Sequence, residues 1–289
     1  MGAALTRPKV VVRYDGQAGP IVALVGGIHG DEFYGPAAIL AIAKRLKAVE
    51  VRGEVILVAA ANPFAVVERA RSSAQVPGNL NRQFGSNPKA AHPALYAMAQ
   101  WLWTTHFSRA AVLVDIHSGG HQRMLPHARF TGNSEEILPM VRAMGIEHAM
   151  KYGSLPPGLL ISRGRCNGSM ALGLEVGGGL ELNPQLLRKL SDGLWNLLIH
   201  LRVVDGAERK LRMPRLVTPG KKLRASAPGV FIPRVSVGDK LRKGDVVGEF
   251  TLFSSSKSRP VRALNDGTVF TLLTGGPAAK GETVVEIVS

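Results

Sequence analysis

The chain has 289 residues, 45% of them hydrophobic and 20% charged, an ordinary globular composition with enough apolar material for a core. No apolar run reaches the roughly 18–20 residues that cross a bilayer, and the opening MGAALTRPKVVVRYDG is too short and too soon charged for a signal peptide. The net charge of +15 favours anionic partners in general, without saying which.

Up to about residue 205, β-rich runs alternate with helical periodicity. Val10–Arg13 and Ile21–Val25 read as strands, and Pro36–Val49 as a helix. Val55–Ala60 is a buried strand, Pro93–Thr105 a helix and Ala111–Ile116 another buried strand. Glu135–Met144 is helical and Ala171–Val176 a short strand. Pro184–Val204 is a long helix, with Asn183 as its N-cap and Pro184 at its first position. Cys166, in RGRCNGS, is the only cysteine, so no intramolecular disulfide exists. A cytoplasmic protein is expected. The alternation predicts an α/β fold with a mostly parallel mixed sheet flanked by helices.

After about residue 206 the texture changes to short β runs, GVFIPR, VVGEFTLF, TVFTLL and TVVEIV, broken by Gly-Asp and Lys-Gly turns. The expected division is a catalytic domain at 1–205, a basic linker at 206–221 and a small all-β domain at 222–289. Seven Lys or Arg and no acid fall between Arg209 and Arg224, with two prolines and no aromatic residue to stack a base. Neither nucleic acid nor membrane is expected as a partner.

VALVGGIHGDEFYG carries the chemistry. A β run ends in two glycines, and His29 and Glu32 follow at the carboxyl end of the strand, where open α/β sheets gather ligands. An imidazole and a carboxylate so close can chelate one divalent metal. VLVDIHSGG is a second apolar strand ending at His117, again beside small residues. Two histidines, one glutamate and a water form a catalytic zinc set, so one Zn2+ per chain is expected on His29, Glu32 and His117. His121 is close enough to His117 in sequence to contact substrate. His92, His106, His127, His148 and His200 read as helix or loop residues without paired ligands.

These motifs resemble the succinylglutamate desuccinylase/aspartoacylase family, a branch of the zinc carboxypeptidase-like fold. GGIHGDE, ANPFAVVERAR, VPGNLNRQF, VDIHSGG and LGLEVGGG occur in that family's order over about residues 20–180. The resemblance implies Glu175 as the general base for zinc-activated water, with Glu181 a weaker substitute. It implies Arg71, rather than Arg69, at the oxyanion, and Arg82 with Asn81 on a substrate carboxylate. The family's DLNR reads NLNR here, so Asn79 stands where the family's acid would back a zinc histidine.

The implied activity is hydrolysis of the amide bond of a small, anionic N-acyl amino acid or related compound. A metallocarboxypeptidase acting on peptides and a non-catalytic binding protein on the same scaffold are the alternatives. The C-terminal part is similar to the barrel-sandwich domains of lipoyl and biotinyl carriers. Lys257, in SSSKSRPVRA, lacks their modification setting and reads as a loop lysine. This part is expected beside the active-site mouth or at a homo-oligomer contact.

Overall fold

The computed structural model describes residues 7–85, 92–255 and 257–289. The opening residues 1–6, which begin the segment read as no signal peptide, lie outside them. The chain begins with strands β1 (Val11–Tyr14) and β2 (Gln17–Val25), helix α1 (Tyr34–Leu46), strand β3 (Arg52–Val58) and the short helix α2 (Pro63–Glu68). Helix α3 (Pro93–Thr105) leads to β4 (Val112–His117), β5 (Gln122–Phe130), α4 (Ser134–Ala143) and β6 (His148–Lys151). Helix α5 (Leu160–Cys166), β7 (Met170–Gly178) and α6 (Pro184–His200) follow. Asn183 caps α6 as expected, its side-chain oxygen accepting from the amides of Gln185 and Leu186.

Strand alternation divides the core. Val22, Leu24, Val112, Val114, Ile116, Leu172 and Leu174 face α1, α4 and α6 in one apolar cluster. Ala23, Val25, Leu113 and Ala171 face the opposite way, against α3 and α5. The same period of two carries Asp115 and His117 onto the side of Leu113, and Glu175 onto the side of Ala171. Helices thus cover both faces, while the polar residues cluster where β2, β4 and β7 end.

The remaining strands are β8 (Arg215–Leu216), β9 (Lys221–Arg224), β10 (Gly229–Pro233), β11 (Lys240–Leu241), β12 (Val246–Leu252), β13 (Ser258–Arg262), β14 (Gly267–Leu273), β15 (Gly276–Ala278) and β16 (Thr283–Val288). They divide between two sheets. A separate antiparallel sheet has the order β13-β12-β10-β15, while β9, β11, β14 and β16 join a 12-stranded sheet. Phe231 and Val247 of the first set pack on Val269, Val285 and Ile287 of the second.

The large sheet is mixed, but it departs from the mostly parallel sheet expected. Parallel pairing is confined to β3-β2-β4-β7 and to β5-β6-β8. β1, β14, β16 and β9 are antiparallel to their neighbours. Parallel neighbours need a long crossover connection, usually helical, and among the described residues no helix follows α6, so β9 to β16 succeed one another without one. The stretch expected as a linker also contains β8, which pairs with β6. His127 and His148 are strand residues, in β5 and β6, rather than helix or loop residues. Lys257 is exposed, immediately ahead of β13.

Candidate active site

The loop after β2 carries His29 and Glu32. Gly30 lets it lie flat on α2, because a Cβ there would come within 1.8 Å of the Ala65 carbonyl oxygen. The Gly30 amide also bonds the Ala70 carbonyl at 3.0 Å. That stitch brings Arg71, just beyond α2, beside Glu32. Arg69 ends α2 in the left-handed conformation, with φ 54°. Arg71 is the arginine that reaches Glu32, donating to Oε1 at 3.1 Å.

His29, Glu32 and His117 converge, all buried, with candidate ligand atoms within 4.8 Å of one another. Nδ1 of His29 lies 2.8 Å from Glu32 Oε1, and Nδ1 of His117 lies 2.8 Å from Oε2. The outer nitrogens are engaged as well: His29 Nε2 with Asn79 Oδ1 at 3.1 Å, and His117 Nε2 with Asp115 Oδ2 at 2.9 Å. Asn79 Oδ1 also accepts from the Asn81 amide, which fixes which way the Asn79 amide points.

This pattern tests whether a metal belongs here. Each imidazole faces an acceptor at both nitrogens, yet a neutral imidazole has only one N–H. With the outer nitrogens donating, both Nδ1 lone pairs point at a carboxylate, an arrangement that needs positive charge between them. A divalent cation supplies that charge in place of two protons. Two imidazoles oriented from behind and one carboxylate suit zinc. Without an ion, burial opposes charge on Glu32, but His117 and His29 outweigh it and hold the carboxyl far below the usual carboxylate range. Burial likewise opposes charge on His117, and Asp115 and Glu32 overcome it and push its pKa well up.

Glu175 is the residue directly opposite His117 in the β4–β7 register. It is 6% exposed. Burial raises its pKa, against the opposing charges of Arg129 and His117. Glu181 lies outside this cluster, exposed and paired with Arg123.

Arg82 is exposed and donates to the Asn81 carbonyl at 2.8 Å. Burial of its guanidinium, then the charges of Arg71 and Arg129, lower its pKa. Three cations therefore share one neighbourhood, and Arg82 has no carboxylate partner among the described residues. Asn81, expected beside Arg82 on substrate, has its amide engaged within the protein. Its Nδ2 lies 3.1 Å from Asp115 Oδ2 and 3.0 Å from His117 Nε2, and its Oδ1 accepts from the Leu160 amide. His121 is exposed, and its carbonyl accepts from Thr274 of the C-terminal part.

Two site residues escaped the sequence reading. Asp115 had a usable signal, since it lies two residues before His117 on one strand and must share its face. Arg129 had none. It lies on β5, a strand that was not recognised, and it forms an ion pair with Glu175.

Residues 18–201 match the succinylglutamate desuccinylase/aspartoacylase catalytic domain. The N-alpha-acetyl-L-2,4-diaminobutyric acid deacetylase of Halomonas elongata is 27% identical over 99% of this chain and 86% of its own length. A succinylglutamate desuccinylase/aspartoacylase structure from Rhodobacter sphaeroides is 26% identical with a TM-score of 0.84, covering 97% of this chain and 88% of its own. The product-bound ectoine utilization protein EutE (DoeB) of Ruegeria pomeroyi is 25% identical with a TM-score of 0.86, covering 96% and 88%. The chain belongs to the succinylglutamate desuccinylase/aspartoacylase family of deacylases. No helix among the described residues is long and apolar enough to cross a membrane.

Proposed function

We propose that the protein hydrolyses the amide bond of a small N-acyl amino acid, using one zinc ion held by His29, Glu32 and His117. The observation that carries this reading is the convergence of those three ligands beside a buried carboxylate, Glu175, opposite His117 in the adjoining strand. Zinc bound there supplies a Lewis acid that polarises a carbonyl and acidifies water.

The chain's own residues do the rest. Glu175 takes a proton from the attacking water and delivers it to the leaving nitrogen as the C–N bond breaks. Its burial raises its basicity toward that task. Arg71, 58% exposed at the edge of the ligand group, faces the negative charge that develops on the carbonyl oxygen. Arg82, with no carboxylate partner among the described residues, takes the substrate carboxylate with its planar fork. Asn79 and Asp115 hold the two imidazoles in the tautomer that leaves Nδ1 free for metal. The acetylated diamino acid named for the Halomonas elongata relative is a substrate of this size and kind.

The test combines metal analysis with a deacylation screen over acetyl, succinyl and formyl amino acids. One zinc per chain and hydrolysis of at least one of these series are expected. E175Q should retain zinc and lose turnover by about 10²–10⁴-fold. Zinc-free protein from a zinc-supplemented preparation, or wild-type turnover in E175Q, would overturn the reading.

A further inference from the structure

We propose that Arg129 is a positioning residue that aims the base Glu175 by holding one of its carboxylate oxygens. The proposal rests on the reading of Glu175 given above.

Strands β5 and β7 run antiparallel, with His127 opposite Glu175 and Arg129 opposite Gly173. The period of two puts Arg129 on the same face of β5 as His127, and Glu175 on the same face of β7 as Gly173. Gly173 presents no side chain between them, so the Arg129 guanidinium reaches along the sheet to Glu175. Nη2 of Arg129 pairs with Oε1 of Glu175. Glu175 is the one ion-pair partner Arg129 has among the described residues, and Arg129 Nε is buried without a hydrogen bond.

Packing makes Arg129 more than a surface cation. It is half-buried, with 34% of its side chain accessible, and its guanidinium ends at the buried carboxylate of Glu175. Its charge reaches Arg82, which also senses Arg71. His127 does not compete for Glu175, because burial keeps its ring neutral and Nδ1 donates to the Leu125 carbonyl.

Two consequences follow for the base. Contact at Oε1 leaves Oε2 for the attacking water. A fixed cation offsets the cost of burying an ionised carboxylate at an apolar strand end. A misplacement of the base by about 1 Å costs on the order of 10²-fold in rate.

The experiment uses the full chain loaded with zinc and an N-acyl amino acid that the wild type hydrolyses. R129M should lower kcat by about 10²-fold while KM stays within about threefold and zinc content stays at one per chain. R129K should recover part of the loss, and added guanidinium ion should restore part of the turnover of R129A. In an E175Q background, R129M should cost little more, because its effect runs through Glu175. A raised KM at wild-type kcat would make Arg129 a substrate ligand and overturn the proposal. So would a wild-type kcat in R129M, or an equal loss in both backgrounds. Should R129M fail to fold, R129K carries the test: lower kcat at unchanged KM supports the proposal, and raised KM at wild-type kcat overturns it. Wild-type turnover in E175Q alone would remove Glu175 as the base, a failure seen without any change at Arg129.

Discussion

Asp115 and His117, two residues apart on one face of β4, meet at 2.9 Å between Oδ2 and Nε2. Among the described residues, His29 Nε2 has no such charged support. It meets the neutral amide oxygen of Asn79 at 3.1 Å. The two imidazoles of the proposed zinc site are therefore backed unequally, one by a carboxylate and one by an amide.

That inequality gives a first prediction. N79D places a charge behind His29 and makes its Nδ1 a stronger donor. Zinc affinity, measured by competition with a chelator, should rise by about 10- to 100-fold. Weaker binding in N79D would show that the pocket is fitted to the neutral side chain, whose oxygen also accepts from the Asn81 amide.

The ligand set gives a second. H29A and H117A should each lose the metal while keeping the wild-type far-ultraviolet circular dichroism. Each removes one of the three proposed ligands, and both side chains are buried at the strand ends rather than at the centre of either apolar cluster. One zinc per chain retained in both variants would remove the assignment.

Arg82 supports a third. Its guanidinium has no carboxylate partner among the described residues and lies near two further cations. R82A should raise KM for N-acyl amino acids by about 10- to 100-fold, the value of a charged hydrogen bond of roughly 1.5–3 kcal/mol. A neutral amide analogue without the carboxylate should show little change. Equal losses on both substrates would assign Arg82 to the fold instead.

The fourth concerns acid stability. Phe270 of β14 packs between His127, with ring centroids 4.7 Å apart, and His148, at 5.6 Å. Burial, aided by the charge of Arg129, pushes His127 down from an ordinary 6.5 to about 4. Between those values the unfolded chain binds the extra proton and the folded chain does not. Stability is therefore full above the unfolded pKa and is lost as pH falls toward the folded one, by up to about 3 kcal/mol. Urea denaturation between about pH 7 and pH 4 should show this slope, and H127Q should lose most of it. An unchanged slope in H127Q would place the acid sensitivity elsewhere.

What the sequence disclosed depended on how strongly each segment repeats. Pro93–Thr105 is the helix that its spacing predicts, and β4 reads as an apolar run ending at the proposed ligand His117. β5 does not, because QRMLPHARF carries two arginines, a histidine and a proline where a half-buried strand would alternate. Its hydrogen bonds and the packing of Phe270 impose the strand, and such contacts leave no local pattern. Arg129 was hidden for that reason. α2 and α5, at 6 and 7 residues, are too short to show a helical period. For Asn81 the motif gives the neighbourhood but not which way its amide is turned, and both amide atoms have partners within the protein.

β5 has two neighbours on its outer edge. Its second half pairs with β6, and its first half, Gln122–Met124, pairs with Leu273–Thr271 of β14. The strand that carries Arg129 is thus sealed by residues near the far end of the chain. During synthesis, everything that surrounds the proposed zinc emerges well before that seal exists. Until β14 arrives, the central sheet offers a bare row of amides and carbonyls beside the site, a template on which another chain can pair. Arrival of β14 therefore closes that short stretch of edge, Gln122–Met124, after the rest of β5 already has its partners.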